Sequence, residues 1–308
     1  MKSPASARSN HRIVFVTGKG GVGKSSVAAA TALQFARRGE TVLLLEFGSR
    51  SFYGPFLGLP VHNDPVQWRP KIEVARWDVE EALREYIAHY LVFKSAANKI
   101  LNNTVMKALI GAAPSMSEIA ILGKLTAPMR HHWYRRDVDV VVIDAYSTGQ
   151  FMAMLRAPRG LAATAPAGPI HYHTQAMVEV LADARVCEYR LVTLAEEMPV
   201  SEACEMIADI YSETGLRPRV YCNRMLSIPP LPNNPKAAPT TDAAASEAFL
   251  EQMRHIDARQ ASSLKRLTQA GAAMVHTLPL TPTLEINAML ERLADALEIA
   301  AMPLGDTQ

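Results

Sequence analysis

Gly18-Lys19-Gly20-Gly21-Val22-Gly23-Lys24-Ser25-Ser26 is the stretch that decides how this chain folds. It fits G-x-x-x-x-G-K-[ST], and its flanks supply the context that pattern needs. Before it, Arg12–Thr17 is a short apolar run that reads as a buried strand. After it, residues 25–38 are rich in Ala and end at Gly39, with Arg37 and Arg38 in the last turn, which predicts a helix. A strand, a glycine-rich turn and a helix in that order make a phosphate cradle. The glycines let backbone N–H groups converge on phosphate oxygens, and the helix N-terminus adds positive dipole there. Gly18, Gly20, Gly21, Val22, Gly23, Lys24, Ser25 and Ser26 are therefore the predicted contacts. Lys24 reaches the β/γ-phosphates and the Ser25 hydroxyl ligates Mg²⁺.

Outward from this loop the chain alternates strand and helix. Thr41–Glu46 is continuously apolar at Val42-Leu43-Leu44-Leu45, as expected of a strand covered on both faces of a parallel sheet. Further strands are predicted at Lys71–Arg76, Val138–Ile143, Tyr189–Leu194, Arg219–Cys222 and Ala273–Leu278. Helices are predicted at 201–214, 247–270 and 284–297. The pattern predicts a doubly wound, mostly parallel α/β domain over residues 12–300. Residues 79–128 are too long for a simple crossover and read as an inserted helical subdomain. Residues 1–11 and 301–308 read as tails, and the Pro-rich stretch 229–245 as a mobile loop.

Val140-Val141-Val142-Ile143-Asp144 is an apolar strand ending in an acid, the companion of a phosphate loop, so Asp144 is the second predicted Mg²⁺ ligand. Composition narrows the classes. The 308 residues carry a formal charge of +2, with 49% apolar and 20% charged residues. That is a globular balance, and a dedicated nucleic-acid binder is usually more basic. The longest unbroken apolar run is five residues, Phe151–Leu155, far short of a membrane span. Three scattered cysteines form no CxxC pair, so neither a disulfide framework nor a zinc site is expected.

Lys19 adds a lysine ahead of the glycine pair. The resulting K-G-G-V-G-K-S resembles the deviant Walker A motif of nucleotide-dependent dimeric ATPases. The residues after Asp144, Ala-Tyr-Ser-Thr-Gly-Gln-Phe-Met-Ala-Met-Leu-Arg-Ala-Pro, resemble the switch II of the arsenite-pump and tail-anchored-protein-targeting ATPase family. Asp144, Thr148, Gly149, Leu155 and Pro158 match that pattern, and Gln150 replaces its His. Cys222-Asn223-Arg224 and Leu278-Pro279-Leu280 are similar to the family's adenine elements. The resemblance covers about residues 12–300. It implies a cytoplasmic ATPase, free or peripheral to a membrane, that binds ATP and Mg²⁺ as a homodimer and acts on a protein or membrane client. In that picture Lys19 reaches the partner's nucleotide, Thr148 and Gly149 sense the γ-phosphate, and Asn223 and Pro279 hold the base.

The chain also departs from the family. Where the family carries a switch I Asp, this sequence has Gly48. Glu46, two residues earlier, either orients the attacking water instead or is a strand-end acid with another role, and slow hydrolysis is expected. The zinc-binding CxxC of the targeting factors is missing. Two other readings stay open: a nucleotide-gated scaffold with little hydrolysis, and a positioning ATPase related to the partitioning and division-site proteins. Residues 79–128 are read either as core or as a hydrophobic client groove. His171 and His173 share a face if they lie on a strand, and Ser201 reads as a helix N-cap.

Overall fold

Alternation along the first strand divides the interior into two halves. In β1 (Arg12–Gly18), Ile13 and Phe15 are buried on one face of the sheet, Val14 and Val16 on the other, as the two-residue period of a strand requires. The computed structural model describes residues 11–90, 115–127, 138–164, 169–228 and 243–301.

In chain order the strands are β1, β2 (Val42–Phe47), β3 (Val66–Arg69), β4 (Ile72–Trp77), β5 (Val140–Asp144), β6 (Cys187–Leu194), β7 (Arg219–Met225) and β8 (Met274–Pro279). Between and after them run α1 (Lys24–Arg37), α2 (Tyr53–Leu57), α3 (Val79–Tyr90), α4 (Ser115–Thr126), α5 (Thr148–Thr164), α6 (Pro169–Leu181), α7 (Glu197–Thr214), α8 (Ala243–Gln269) and α9 (Ile286–Ala301). The sheet order is β3-β4-β2-β5-β1-β6-β7-β8. Every pairing is parallel except the β3–β4 edge. Helices α1 and α9 pack with Val14, Val16, Leu44 and Val142 on one face. Helices α3 to α7 cover Ile13, Phe15, Leu43 and Ile143 on the other. This is the predicted doubly wound α/β architecture. Its parallel strands place the loops after β1, β2 and β5 side by side at their C-terminal ends, where such sheets bind ligands.

Several expectations are corrected. β3 was not foreseen: its four residues, Val-Gln-Trp-Arg, lie between Pro65 and Pro70 on a sheet edge and carry no long apolar run. The short helix α2 also escapes a periodicity argument, because five residues make little more than one turn. Helix α7 starts at Glu197 with Glu196 as its N-cap, so Ser201 lies inside it and donates to the Glu197 carbonyl at 3.0 Å. His171 and His173 belong to helix α6, not to a strand, and do not share a face. His173 is buried and His171 half-buried. Helix α8 takes in residues 243–245, predicted as loop, and Ala301 ends α9. His11, placed in the tail, is bonded through its ring to the Val138 carbonyl.

The inserted segment is described at its two ends. There α3 and α4 pack on each other and bury Leu83, Tyr86, Ile119, Leu122 and Leu125 in the same core as Phe15. The approach is close: a Cβ on Gly123 would lie 2.6 Å from the Tyr86 ring. Lys124 pairs with Glu85 at 2.7 Å and sits 4.7 Å from the Trp77 ring centre. Residues 91–114, the remainder of the suggested groove, lie outside the described residues, as do residues 1–10, 229–242 and 302–308. No helix among the described residues is long and apolar enough to cross a membrane.

Candidate functional site

The loop from Gly18 to Ser25 is shaped by two glycines that nothing larger could replace. Gly18 has φ 145°, and a Cβ there would stand 2.1 Å from the Val192 carbonyl oxygen of β6. Gly23 has φ 93°, and its Cβ would meet the Asn223 amide nitrogen at 2.5 Å. Gly20 and Gly21 are exposed at the tip, and Val22 is buried beneath it. Helix α1 starts at Lys24 with no side chain capping its first turn. Its leading N–H groups therefore open into the loop, the arrangement that receives an anion. Lys24 folds back, its ammonium donating to the Lys19 carbonyl at 3.0 Å. Burial lowers its pKa, and the neighbouring Asp144 opposes that shift.

Asp144 ends β5 in register with Val16 of β1 and Glu46 of β2. Burial pushes its carboxyl pKa up to about 6, against the lowering effects of the nearby Ser25 hydroxyl and of Lys24. A half-buried carboxylate and a hydroxyl that meet beside a phosphate loop are hard oxygen donors. They suit Mg²⁺, which takes one or two protein oxygens and completes its shell with phosphates and water. The predicted pair Ser25 and Asp144 is thus brought together.

Around this pair the structure gives Glu46 its partners and adds Tyr53, which the sequence reading missed. Glu46 is only 5% exposed. Its carboxylate accepts from the Ser51 hydroxyl, from the Phe52 N–H at 2.8 Å and more weakly from the Tyr53 N–H at 3.4 Å. Glu46 therefore holds the loop after β2. At Gly48, where the resemblance implies an Asp, φ is 130° and nothing lies within 4 Å of the Cβ position. Arg76 donates to the Gly48 carbonyl at 2.7 Å. Tyr53 is fully buried, and its hydroxyl donates to the Ser25 carbonyl at 2.9 Å. Only proximity to a predicted switch could have drawn attention to Tyr53, since nothing in the sequence says where its hydroxyl points.

The segment after β5 is tied to the phosphate loop from below. The Ala145 N–H donates to the Val16 carbonyl at 2.9 Å, and the Thr17 hydroxyl to the Tyr146 carbonyl at 3.0 Å. Thr148 and Gly149 open helix α5 at this point. Asn223, at the end of β7, is buried and donates to the Val22 carbonyl at 2.9 Å, so its amide braces the loop. Pro279 ends the neighbouring strand β8, opposite Met225. Lys19 turns toward α7 and pairs with Glu202 of the same chain.

Comparison with known proteins fits this geometry. The ATPase BagA of Mycobacterium tuberculosis is 28% identical over 211 residues, 65% of this chain and 61% of its own length. A putative arsenical pump-driving ATPase of Halobacterium salinarum is 26% identical over 228 residues, 68% of this chain and 34% of its own. An arsenical pump-driving ATPase of Escherichia coli is 27% identical over 286 residues, 90% of this chain and 43% of its own. The chain thus spans about 61% of the mycobacterial relative's length and less than half of the two pump-driving ones. The family model described as anion-transporting ATPase matches residues 11–165. That span, half of the chain, runs from β1 through the phosphate loop, the Glu46 loop and Asp144 into α5, and the chain belongs to the anion-transporting ATPase family.

Proposed function

We propose that this chain is a magnesium-dependent ATPase that closes as a homodimer around its nucleotides and passes that change to a protein or membrane partner. The observation that carries the reading is the convergence of Lys24, Ser25 and Asp144 on the open N-terminus of α1. Lys24 neutralises phosphate charge, and Ser25 and Asp144 hold Mg²⁺. The cation withdraws charge from the phosphoryl oxygens when bound. Thr148 and Gly149 respond to the γ-phosphate, and Asn223 and Pro279 border the base. The names of the relatives, ATPase and arsenical pump-driving ATPase, support the same reading. Work in the cytoplasm or at a membrane surface goes with it.

Hydrolysis in the isolated protein is expected to be slow. Gly48 offers no side chain to orient water, and the Glu46 carboxylate is already engaged by Ser51, Phe52 and Tyr53. The test is Mg·ATP turnover together with solution mass, for wild type and Lys19→Ala. An ATP-driven dimer whose phosphate release falls in Lys19→Ala supports the proposal. A dimer without phosphate release instead points to a nucleotide-gated scaffold, and neither change would overturn the mechanism.

The pair between Lys19 and Glu202 makes a further expectation. In trans, Lys19 has to leave Glu202. Both partners are about one-third exposed, so the pair is worth at most about 1 kcal/mol. Glu202→Gln should therefore shift ATP-dependent dimerisation to a protein concentration about two- to fivefold lower. Sedimentation velocity across a dilution series checks this. An unchanged midpoint would show that releasing Lys19 is no part of closure.

A further inference from the structure

The loop after β2 carries a tyrosine that packing alone does not explain. Tyr53 is fully buried, between Phe52 and Phe56, with ring centroids at 5.4 and 6.5 Å. Phenylalanine would fill that space without taking a hydroxyl out of water, which is unfavourable unless the hydroxyl finds a partner. Its partner is the Ser25 carbonyl, at 2.9 Å. That carbonyl belongs to the first turn of α1 and has a helical acceptor role already, so the tyrosine uses its second lone pair. The backbone did not need the bond, and its effect is to tie the Tyr53 loop to the residue whose own hydroxyl lies beside Asp144.

The Asp144 carboxylate lies close enough to this phenol to raise its pKa beyond what burial does. On its other side Tyr53 is held by Glu46, which also fixes Ser51 and Phe52 and pairs in register with Asp144 across β2 and β5. Hydrogen bonds thus link Glu46 to Tyr53 and Tyr53 to Ser25, with Asp144 close by; Glu46 and Tyr53 are buried, Ser25 and Asp144 half-buried.

We infer that Tyr53 is a positioning residue for the divalent cation: held by Glu46, it sets the placement of Ser25 and Asp144, so that metal-dependent nucleotide binding requires the Ser51–Tyr53 loop to be seated. The inference rests on the proposed function and adds a residue to it. It also gives Glu46 a role in place of water orientation, since its carboxylate is engaged by the Ser51–Tyr53 loop. Neither residue is called catalytic, because each acts through another.

The test uses the full chain and a fluorescent ATP analogue, titrated with Mg²⁺ and, separately, in excess EDTA. For Tyr53→Phe, which keeps the ring, affinity in EDTA should stay within about twofold of wild type. The Mg²⁺ concentration at half-saturation should rise about five- to tenfold, the loss of one neutral hydrogen bond. Glu46→Gln should raise it in the same direction. A thermal melt accompanies each variant, because a purely structural tyrosine would lower the melting temperature and leave the Mg²⁺ dependence alone. Wild-type Mg²⁺ dependence in a folded Tyr53→Phe overturns this inference and leaves the proposed function standing. If wild type itself binds the analogue no better with Mg²⁺ than without, the proposed function falls and this inference with it.

Discussion

Lys24→Ala is expected to lower Mg·ATP turnover by about 10²–10³-fold, the usual loss when one preorganised charge-stabilising donor is removed. The physical setting explains the size. Lys24 is half-buried at the start of α1, and its ammonium donates to the Lys19 carbonyl of the same loop. Asp144 lies close enough to raise its pKa, while burial lowers it. The ammonium is therefore a partly desolvated cation beside the site where triphosphate charge would gather. Without it, that charge and Asp144 face each other across a site drier than bulk water, where each interaction is stronger. Phosphate release under saturating Mg·ATP measures the effect, and a melt comparable with wild type shows that the fold is intact. Turnover at the wild-type level in Lys24→Ala would mean that this loop is not where hydrolysis occurs.

Gly18→Ala should act on the fold itself. The new methyl would stand 2.1 Å from the Val192 carbonyl oxygen, in a parallel pair where Gly18 is in register with Val192. That oxygen belongs to the backbone of β6, so relief requires β1 and β6 to part at the centre of the sheet. Overpacking of this kind costs about 1–3 kcal/mol. The φ of 145° is strained for any residue with a Cβ, adding about 1–3 kcal/mol. Together, about 2–6 kcal/mol is a large share of the roughly 5–15 kcal/mol that holds a domain together. Gly20→Ala is the control, because nothing lies within 4 Å of its Cβ position. It should stay within about 0.5 kcal/mol of wild type. Urea unfolding of the two variants decides the matter, and equal midpoints would sink the steric argument.

Much of this architecture could be read before any coordinates. The phosphate loop identified itself because its chemistry needs glycine, lysine and serine at fixed spacing within a few consecutive residues. Asp144 was legible because a strand of Val and Ile ending in an acid is a local pattern. The buried strands announced themselves by continuous apolarity at 42–45 and 140–143. The edge strand β3 did not, since its polar, proline-bounded residues owe their conformation to β4 beside them. Helix α7 begins earlier than Ser201 because Val200, Ala203 and Ile207 bury against the sheet side of the core. That tertiary gain outweighs the capping preference of one serine.

The division between the two sources follows sequence separation. By itself the sequence determined the fold class, the phosphate loop and the strand-end acid, because each depends on neighbours a few residues away. Only the tertiary structure decided what Glu46, Tyr53, Asn223 and Lys19 do. Their partners are Ser51 and Phe52, Ser25, Val22 and Glu202. Three of these four links span from 28 to 201 residues of chain. A hydrogen bond or ion pair across such a distance exists only once the sheet has set β1, β2, β5 and β7 side by side. No local propensity encodes it, because its direction is settled by packing.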